Sequence, residues 1–321
     1  MPYGYDNSEV KNMPGLSTHY LFGVGTLKYI KRLKIHGLIC SYPCVYALGQ
    51  QGPDVLFYYP QILKRHNIGL MMHNEHTAEF FNSMLHYIES YAKTRRDREL
   101  LTVYMAGFLG HYVLDRTVHP YVYAYSMKGG RLRQHGRHFR LETEIDAYLL
   151  KNTKKIRPGF FKGGKTLALS PQEEKAVIDL LQYAVFATYR IRLSKSRLKA
   201  TLRIMRFVHA VLRDKRGIKK RMLCSLEETV LGFPFLSCLI ADRDEPADRH
   251  ALLNLKHRKW HNPWKNGHSS RASVPDMLKR ARKEYITVLK EYDGLFEAVS
   301  GSRESFLNYI GNCSYHTGMN L

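Results

Sequence analysis

The sequence predicts an all-α protein, organised as a single multi-helix domain. Apolar residues recur at helical spacing along several long segments, most clearly along residues 69–93 and 98–119. Alternating β-branched runs flanked by Asn-Gly or Asp-Gly turns, the usual pattern of hairpins, do not appear. The hydrophobic fraction of 44% in 321 residues is typical of a globular protein and can supply a substantial core.

Helix boundaries are predicted from capping residues and prolines. Ser170, Pro171 and Glu173 form a typical helix start, with serine as the N-cap and proline in the first turn. Pro120 predicts the end of the 98–119 helix, because proline disfavours helical backbone at the residue before it. Further helices are expected at 137–151, 173–193, 196–213, 274–300 and 302–310, with connectors at 43–60, 124–134, 157–165 and 242–273.

The charge of the chain is strongly positive and unevenly distributed. The formal net charge is +22, and residues 151–220 contain 19 Lys/Arg against 4 Asp/Glu. Such a field attracts phosphate groups, either on nucleic acid or on an anionic membrane surface. The alternative is that the long basic side chains only solvate helix faces. The charge therefore indicates an anionic partner without identifying it.

Cysteine usage and the start of the chain predict the compartment. The five cysteines are widely scattered and form no C-x-x-C pair, so reduced thiols are expected rather than a disulfide framework. The first residues lack a basic region followed by an apolar one, which predicts no secretion signal. The apolar stretches are too short to cross a bilayer. We expect a cytoplasmic protein, and peripheral association with a membrane stays open.

One segment carries a pattern of metal-ligand residue types. His111, Asp115 and His119 follow one another at i, i+4 and i+8, and each step of four turns the side chain by only about 40° on a helix. All three therefore line one stripe, as zinc ligands on a helix would. His138 and Glu142 form a second i, i+4 pair. A bundle that joins the two blocks would collect these side chains in one interior cleft.

Each pair alone is weak evidence, because surface i, i+4 pairs occur often by chance. Five ligand-type residues in two compact helical blocks favour a metal site over separate structural roles. Gly107 and Gly110, on the same helix, would allow a neighbouring helix or a bound ion to approach closely.

Several separated segments are similar, in the same order, to the zinc-dependent phospholipase C family. The resemblance covers residues 13–150, and the tail at 257–264 resembles the bacterial cytosolic branch of the family. The wider group includes bacterial phosphatidylcholine-hydrolysing enzymes and, more distantly, single-strand-specific zinc nucleases. The similar segments are residues 14–23 (PGLSTHYLFG), 49–54 (GQQGPD), 57–59 (FYY), 72–73 (MH) and the blocks around His111 and His138.

The resemblance implies an α-helical fold with two or three Zn²⁺ ions in one cleft. It implies a first site formed by His119, His138 and Glu142. The residues that it implies for the second site are Asp54, His73, His111 and Asp115. His19 and Asp115 would serve a third site, so that Asp115 bridges two metals. Asp54 also resembles the residue that orients or deprotonates the attacking water, and it is the expected catalytic residue. On this basis residues 13–150 form a metal-ligand core and residues 151–321 a basic helical extension of the same domain.

Two departures from the family pattern concern the third site and the substrate. In the secreted phospholipases an N-terminal tryptophan helps to hold the third zinc, whereas 18 residues precede His19 here. The spacing Asp115-x3-His119, with Pro120 after it, is shorter than in those enzymes and matches more distant relatives.

The remaining histidines have alternative roles. His76 rivals His73 as a ligand, and His135 could compete with His138 but lacks a carboxylate four residues later. His66 and His86 flank His73. The histidines at 257, 261 and 268 are expected to pack in a loop with Trp260 and Trp264, which we expect to contact the helices.

The leading expectation for function is a zinc-dependent phosphodiester hydrolase that resembles phospholipase C and acts on a phospholipid or related phosphodiester. One alternative is a zinc-dependent single-strand nuclease, which the basic stretch would suit. Another is a non-catalytic, metal-stabilised protein that binds anionic membrane or nucleic acid. A short phosphorylated metabolite is a further substrate class left open.

Overall fold

The computed structural model describes residues 15–60, 67–127, 130–295 and 302–321. The predicted all-α class is confirmed. Short 3-10 helices span Gly52–Tyr58, Pro158–Phe160 and Leu236–Leu239, a π-helical turn spans Leu150–Lys154, and strands β1 (Trp260–His261) and β2 (Ser269–Ser270) form an antiparallel hairpin. The α-helices are α1 (Leu16–Leu27), α2 (Lys34–Ser41), α3 (Pro43–Gly49), α4 (Ile68–Asn74), α5 (Thr77–Ser90), α6 (Arg95–Ser126), α7 (Arg131–Leu149), α8 (Gly163–Thr166), α9 (Pro171–Tyr189), α10 (Lys195–Val211), α11 (Ile218–Leu231), α12 (Arg249–Leu252), α13 (Val274–Gly294) and α14 (Arg303–Ile310).

Helix α6 forms the centre of the fold. Thr94 caps its first turn by accepting the backbone N–H of Asp97. Residues 100–115 are all buried, because α1, α3, α7 and α13 pack around this part of the helix. A helix that is surrounded by other helices carries apolar residues on all its faces. Polar residues of this stretch, such as His111 and Asp115, therefore lie inside the protein.

Glycines set the close crossing of α3 and α6. A Cβ on Gly49 would lie 2.2 Å from the carbonyl oxygen of Tyr104, and one on Gly107 would lie 2.4 Å from that of Tyr46. No side chain fits at either position, so the two backbones touch directly. This contact brings Gln50, next to the end of α3, against α6.

The prediction that Pro120 ends a helix was wrong. Pro120 lies inside α6, which continues to Ser126. Proline at this position removes the N–H that would bond to the carbonyl of Arg116, at a cost of about 3 kcal/mol. Gly318 packs against that carbonyl, where a Cβ would come within 2.5 Å of the oxygen. Packing around the buried helix outweighs the local preference of proline.

The predicted 69–93 helix is two helices. It breaks at Glu75, which is extended, and His76, whose φ of 55° is left-handed. The predicted 43–60 connector is also wrong, because it contains α3 and the 3-10 helix at 52–58, both buried on nearly all sides. The helix expected at 274–300 ends at Gly294, and residues 296–300 of that prediction lie outside the described part of the chain.

None of the helices in the described ranges has an apolar stretch of the length that crossing a membrane requires. Helices from the second half of the chain pack on the first half, with α9 against α5 and α13 against α6. The division into a metal-ligand core at 13–150 and a basic extension at 151–321 stays a prediction.

Candidate metal centre

Five histidines and three carboxylates converge in the interior, next to the middle of α6. All eight side chains belong to residues that are at most 8% exposed. The i, i+4, i+8 stripe of α6 supplies three of them, and four neighbouring elements supply the others. The residues are His19 on α1, Asp54 on the 52–58 helix, His73 on α4, His111, Asp115 and His119 on α6, and His138 and Glu142 on α7.

Asp115 lies at the centre of this cluster and its two oxygens face different histidines. Oδ2 lies 2.9 Å from Nε2 of His111 and 3.6 Å from Nε2 of His73. Oδ1 lies 3.3 Å from Nε2 of His19 and 3.7 Å from Nε2 of His119. Burial opposes ionisation of this carboxyl, but the surrounding imidazoles hold its pKa well below the usual range. Asp115 is therefore an anion between two groups of histidines.

Asp54 closes the deeper side of the cluster. Its Oδ1 lies 3.1 Å from Nε2 of His73, and its Oδ2 lies 3.7 Å from Nδ1 of His111. His19 stacks on His111 with ring centroids 4.1 Å apart, and one ligand atom from each of these histidines lies within 4.8 Å of Asp54. Burial raises the pKa of the Asp54 carboxyl. Burial lowers the pKa of His19 to about 3, so its imidazole is neutral, the form that binds a metal.

His119, His138 and Glu142 form the group on the other side of Asp115. Glu142 Oε1 lies 3.0 Å from Nε2 of His138 and 3.4 Å from Nε2 of His119. Burial opposes ionisation, but the two imidazoles lower the pKa of Glu142 to about 2. The i, i+4 spacing on α7 points His138 and Glu142 at the same place, which is why the pair meets a histidine from α6.

Backbone carbonyls orient two of the histidines. Nδ1–H of His73 donates to the carbonyl of Gly69 at 2.6 Å, and Nδ1–H of His111 donates to the carbonyl of Gln50 at 3.1 Å. Each bond places a proton on Nδ1, so that Nε2, which faces Asp115, is the nitrogen that can bind a metal. Such hydrogen bonds from the outer nitrogen are the usual support of metal-binding histidines. The crossing of α3 and α6 supplies the second of them, since it holds Gln50 against His111.

The donor set fits zinc. Tetrahedral zinc with bonds of about 2.0–2.1 Å separates its ligand atoms by about 3.3 Å, and the nitrogen–oxygen distances here run from 2.9 to 3.7 Å. Within the described residues, both oxygens of Asp54, Oδ2 of Asp115, Oε2 of Glu142 and Nε2 of His111 are buried without a hydrogen-bond partner. Buried carboxylates without donors are costly unless a cation neutralises them. The cluster can therefore hold metal ions.

The eight residues expected from the sequence are thus brought together. Three groups have ligand atoms within 4.8 Å of one another: His19, Asp54 and His111; His73, His111 and Asp115; His119, His138 and Glu142.

The rival histidines lie outside these groups. His76 is exposed at the break between α4 and α5 and pairs with Glu79 at 3.4 Å. His135 contacts Phe139 instead of a carboxylate. His66 lies outside the described residues. Trp260 and Trp264 pack on α6, as expected, with centroids 5.3 Å from Tyr121 and 5.0 Å from Tyr123.

His316 is a residue of this region that sequence reasoning missed. It is buried, and its ring centroid lies 4.8 Å from that of His73 and 5.5 Å from that of His119. It belongs to the segment 312–321, which Tyr315 fixes to α4 by donating its N–H to the carbonyl of His73 at 2.9 Å. No spacing pattern links His316 to the other histidines, so a sequence motif could not have identified it.

Two cavities adjoin the cluster. A cavity of about 30 Å³ is lined by His19, Asp115, His119 and Glu142, and has room for about two water molecules. A second cavity of about 90 Å³ is lined among others by Tyr58, Asp146 and His209. Gly15 lines both. Both cavities therefore reach the start of α1, and the smaller of the two is the one that cluster residues line.

The model of one protein family, described as zinc dependent phospholipase C, matches residues 18–195. The match covers more than half of the chain and includes all eight residues of the cluster. Neither a curated protein nor a solved structure matches the chain. The family is zinc-dependent, in agreement with the donor set of the buried cluster. The chain belongs to the zinc-dependent phospholipase C family.

Proposed function

We propose that this protein is a zinc-dependent phosphodiester hydrolase that cleaves a phospholipid to diacylglycerol and a phosphorylated head group. The observation that carries the proposal is the position of Asp115, whose two oxygens face separate groups of histidines. A carboxylate shared in this way suits a centre with more than one metal, which is the arrangement that phosphodiester hydrolysis uses.

We assign the ligands in three sets. His119, His138 and Glu142 would hold one Zn²⁺, and the 2.9–3.6 Å contacts of Asp115 with His111 and His73 support a second set completed by Asp54. His19, 3.3 Å from Asp115, would serve a third. When bound, zinc supplies two things: water of lowered pKa near neutral pH, and positive charge for the phosphoryl oxygens in the transition state.

The residues of the chain have distinct tasks in this proposal. Asp54 orients the attacking water and accepts its proton, and the upward shift of its pKa on burial supports this role. Asp115 and Glu142 stay ionised and balance the cationic centre. His73 and His111 are held in one tautomer by backbone carbonyls, so no reorganisation of the ring is needed during the reaction.

A single-stranded nucleic acid is the second candidate substrate, and one observation favours it. Tyr123 lies between His138 and Trp264, with ring centroids 5.0 Å from each. Aromatic rings beside a zinc centre can stack on bases, and the basic stretch 151–220 suits a polyanion. A non-catalytic role would instead require zinc without turnover.

The five cysteines, all without disulfide partners, support our proposal that the protein works in the cytoplasm.

The test combines zinc analysis with turnover of p-nitrophenyl phosphocholine, a phosphatidylcholine-containing vesicle and a single-stranded oligonucleotide. We expect at least two zincs per chain and chelator-sensitive hydrolysis of the lipid. Asp54→Asn and Asp115→Asn should each lower kcat by at least about 10³-fold. Asp244→Asn, at a side chain that is 75% exposed, is the matched control and should change neither the zinc content nor kcat.

Each other outcome has a definite meaning. Hydrolysis of the oligonucleotide alone would replace the phospholipase assignment by the nuclease one. Bound zinc without hydrolysis of any substrate would favour the non-catalytic alternative. Full activity of Asp115→Asn would refute the proposed centre.

A further inference from the structure

Helix α11 turns its apolar side chains away from the other described parts of the protein. Ile218, Met222, Leu226 and Val230 recur every four residues and are 49%, 69%, 60% and 70% exposed. This spacing keeps them on one stripe of the helix. The residue that α11 buries is a charged one, Glu227. A surface helix normally buries its apolar stripe, so the orientation of α11 is the reverse of the usual one.

Specific polar contacts fix this orientation. The carboxylate of Glu227 accepts the backbone N–H of Leu236 at 2.6 Å and the hydroxyl of Ser237 at 2.6 Å. At the other end of the helix, buried Asp214 accepts the backbone N–H of Gly217 at 2.9 Å. The backbone groups satisfied by Glu227 would be left without a partner if the helix rotated its apolar stripe inward. The hydrogen bonds of Glu227 and Asp214 therefore keep the apolar stripe of α11 on the outside.

The neighbouring helix α10 extends the apolar surface. Ile204, Phe207 and Val211 are exposed at helical spacing, whereas Met205 faces the core. Lys219, in the first turn of α11, donates from Nζ to the carbonyl of Val211 at 3.0 Å, which ties the two helices together. We call the seven exposed apolar residues the α10–α11 face: Ile204, Phe207, Val211, Ile218, Met222, Leu226 and Val230.

The charges around this face are nearly all positive. Residues 195–231 contain 11 Lys/Arg against 3 Asp/Glu. Two of the three acidic residues, Asp214 and Glu227, are buried in internal hydrogen bonds, which leaves Glu228 exposed. Lys219 and Arg221 lie between Ile218 and Met222, at the start of α11. Exposed apolar residues with flanking cations are the features of helices that lie in the surface of an anionic membrane.

The helix that carries part of this face also lines a cavity near the candidate metal centre. His209 and Leu212, from the end of α10 and the residue after it, line the cavity of about 90 Å³ that shares Gly15 with the cavity beside His19. Because His209 lies four residues after the core-facing Met205, the cavity is on the inner side of α10, and a membrane at the face would lie one helix diameter, about 10 Å, away from it. α11 lies beyond the residues that match the family model, so the face is a feature of this chain rather than of that match.

We propose that the α10–α11 face docks the protein on anionic phospholipid membranes. Docking itself is independent of hydrolysis, and only the delivery of substrate to the centre rests on the function proposed above. Two copies of the chain joined through this face would bring like charges together, which disfavours a dimer. Nucleic acid would use the cations but would leave the apolar stripe exposed.

The test is flotation of the zinc-loaded protein with vesicles of phosphatidylcholine alone or mixed with phosphatidylglycerol. Diacylglycerol in the recovered vesicles is measured as well, so that binding is compared on vesicles of known composition. We expect binding to the mixed vesicles that persists in part at high salt, because apolar contacts are not screened. The variant Met222→Asn/Val230→Asn should lower the partition coefficient by at least about tenfold. The matched control Ser225→Asn/Thr229→Asn makes the same change at exposed polar positions of α11 and should bind as the native chain does.

The outcomes separate this proposal from the proposed function. Equal binding by the two double variants, or no binding of the native chain to mixed vesicles, would overturn docking at this face. A dimer in sedimentation that Met222→Asn/Val230→Asn dissociates would also overturn it. Turnover of p-nitrophenyl phosphocholine by the zinc-loaded protein should be the same in both double variants, since neither touches the metal centre. Absence of p-nitrophenyl phosphocholine turnover by the native chain would count against the proposed hydrolase function and would leave the docking proposal unaffected.

Discussion

The imidazole of His316 stacks on the imidazole of His73, with ring centroids 4.8 Å apart and an interplanar angle of 22°. The segment that carries His316 is fixed at the same place, because Ser314 donates from Oγ to the carbonyl of His73 at 3.2 Å. Tyr315 covers the inner side, with its ring centroid 5.2 Å from that of His73. Residues 312–321 thus form one wall of the candidate metal centre, although they lie far from the other site residues in sequence.

The first prediction concerns this wall. His316→Ala should leave a void beside His73 and lower zinc affinity about 10- to 100-fold, as loss of a supporting contact typically does. His316→Phe keeps a ring of similar size and should retain zinc affinity within about threefold. Zinc affinity would be measured by competition with a chromogenic chelator. Met319→Ala, in the same segment but exposed, is the control. Equal affinity of the Ala and Phe variants would show that the stacked ring does not support the centre.

Five of the eight residues of the candidate centre were predictable because helical geometry acts over short distances, whereas His19, Asp54 and His73 were expected only from the family resemblance. His111, Asp115 and His119 had to share a stripe once their segment was a helix, and His138 with Glu142 likewise. His316 was not predictable, because its place depends on how the chain returns over α4 after α14. That return is set by hydrogen bonds such as the one from Tyr315 to the carbonyl of His73, which leave no pattern in the sequence.

The errors in the fold have a related cause. Periodicity identifies helices with one buried face, but α3 is buried nearly all round and shows no polar stripe. The prediction for Pro120 used only the local backbone preference of proline, whereas packing around α6 keeps this segment helical. α11 was missed in the basic region, and its apolar stripe points outward, so the usual inference from stripe to core does not apply there.

The second prediction concerns Asp146, which holds the start of α1. Its Oδ1 accepts the backbone N–H of Thr18 at 2.7 Å and its Oδ2 accepts that of Ser17 at 3.2 Å. Asp146→Asn removes one of these acceptors and should cost about 1 kcal/mol of unfolding free energy. It should also lower the number of zincs bound per chain, because α1 carries His19. Ser170→Ala removes the N-cap of α9 instead, far from the centre, and should lower stability without changing the zinc content. If Asp146→Asn kept the native zinc content, the hydrogen bonds from Asp146 to the start of α1 would not be needed for metal binding.

The third prediction concerns pH and His209. Burial lowers the pKa of this imidazole to about 4, below the value of about 6.5 expected in the unfolded chain. The unfolded state therefore binds more protons between these values, and the contribution of His209 to stability, complete above pH 6.5, is lost as the pH falls toward 4. The loss is at most about 3 kcal/mol. In urea unfolding of the zinc-free protein, His209→Gln should weaken the fall of stability over this window. His250→Gln, at an exposed position on α12, should leave the pH dependence as it is. A pH dependence that stays the same in His209→Gln would contradict the assignment.

The fourth prediction compares two glycines in helices. At Gly107 a Cβ would lie 2.4 Å from the carbonyl oxygen of Tyr46 and 2.8 Å from the backbone nitrogen of Gln50. Gly107→Ala must therefore push α3 away from α6, at a cost of about 3 kcal/mol or more. The shift also displaces the carbonyl of Gln50 that orients His111, so zinc affinity should fall together with stability. Gly37, inside α2, has nothing within 4 Å of its added Cβ, and Gly37→Ala should raise stability by about 0.5–1 kcal/mol without affecting zinc. Thermal unfolding and chelator competition on both variants measure the two effects. A stable Gly107→Ala variant with native zinc affinity would mean that the close crossing of α3 and α6 is not needed to build the centre.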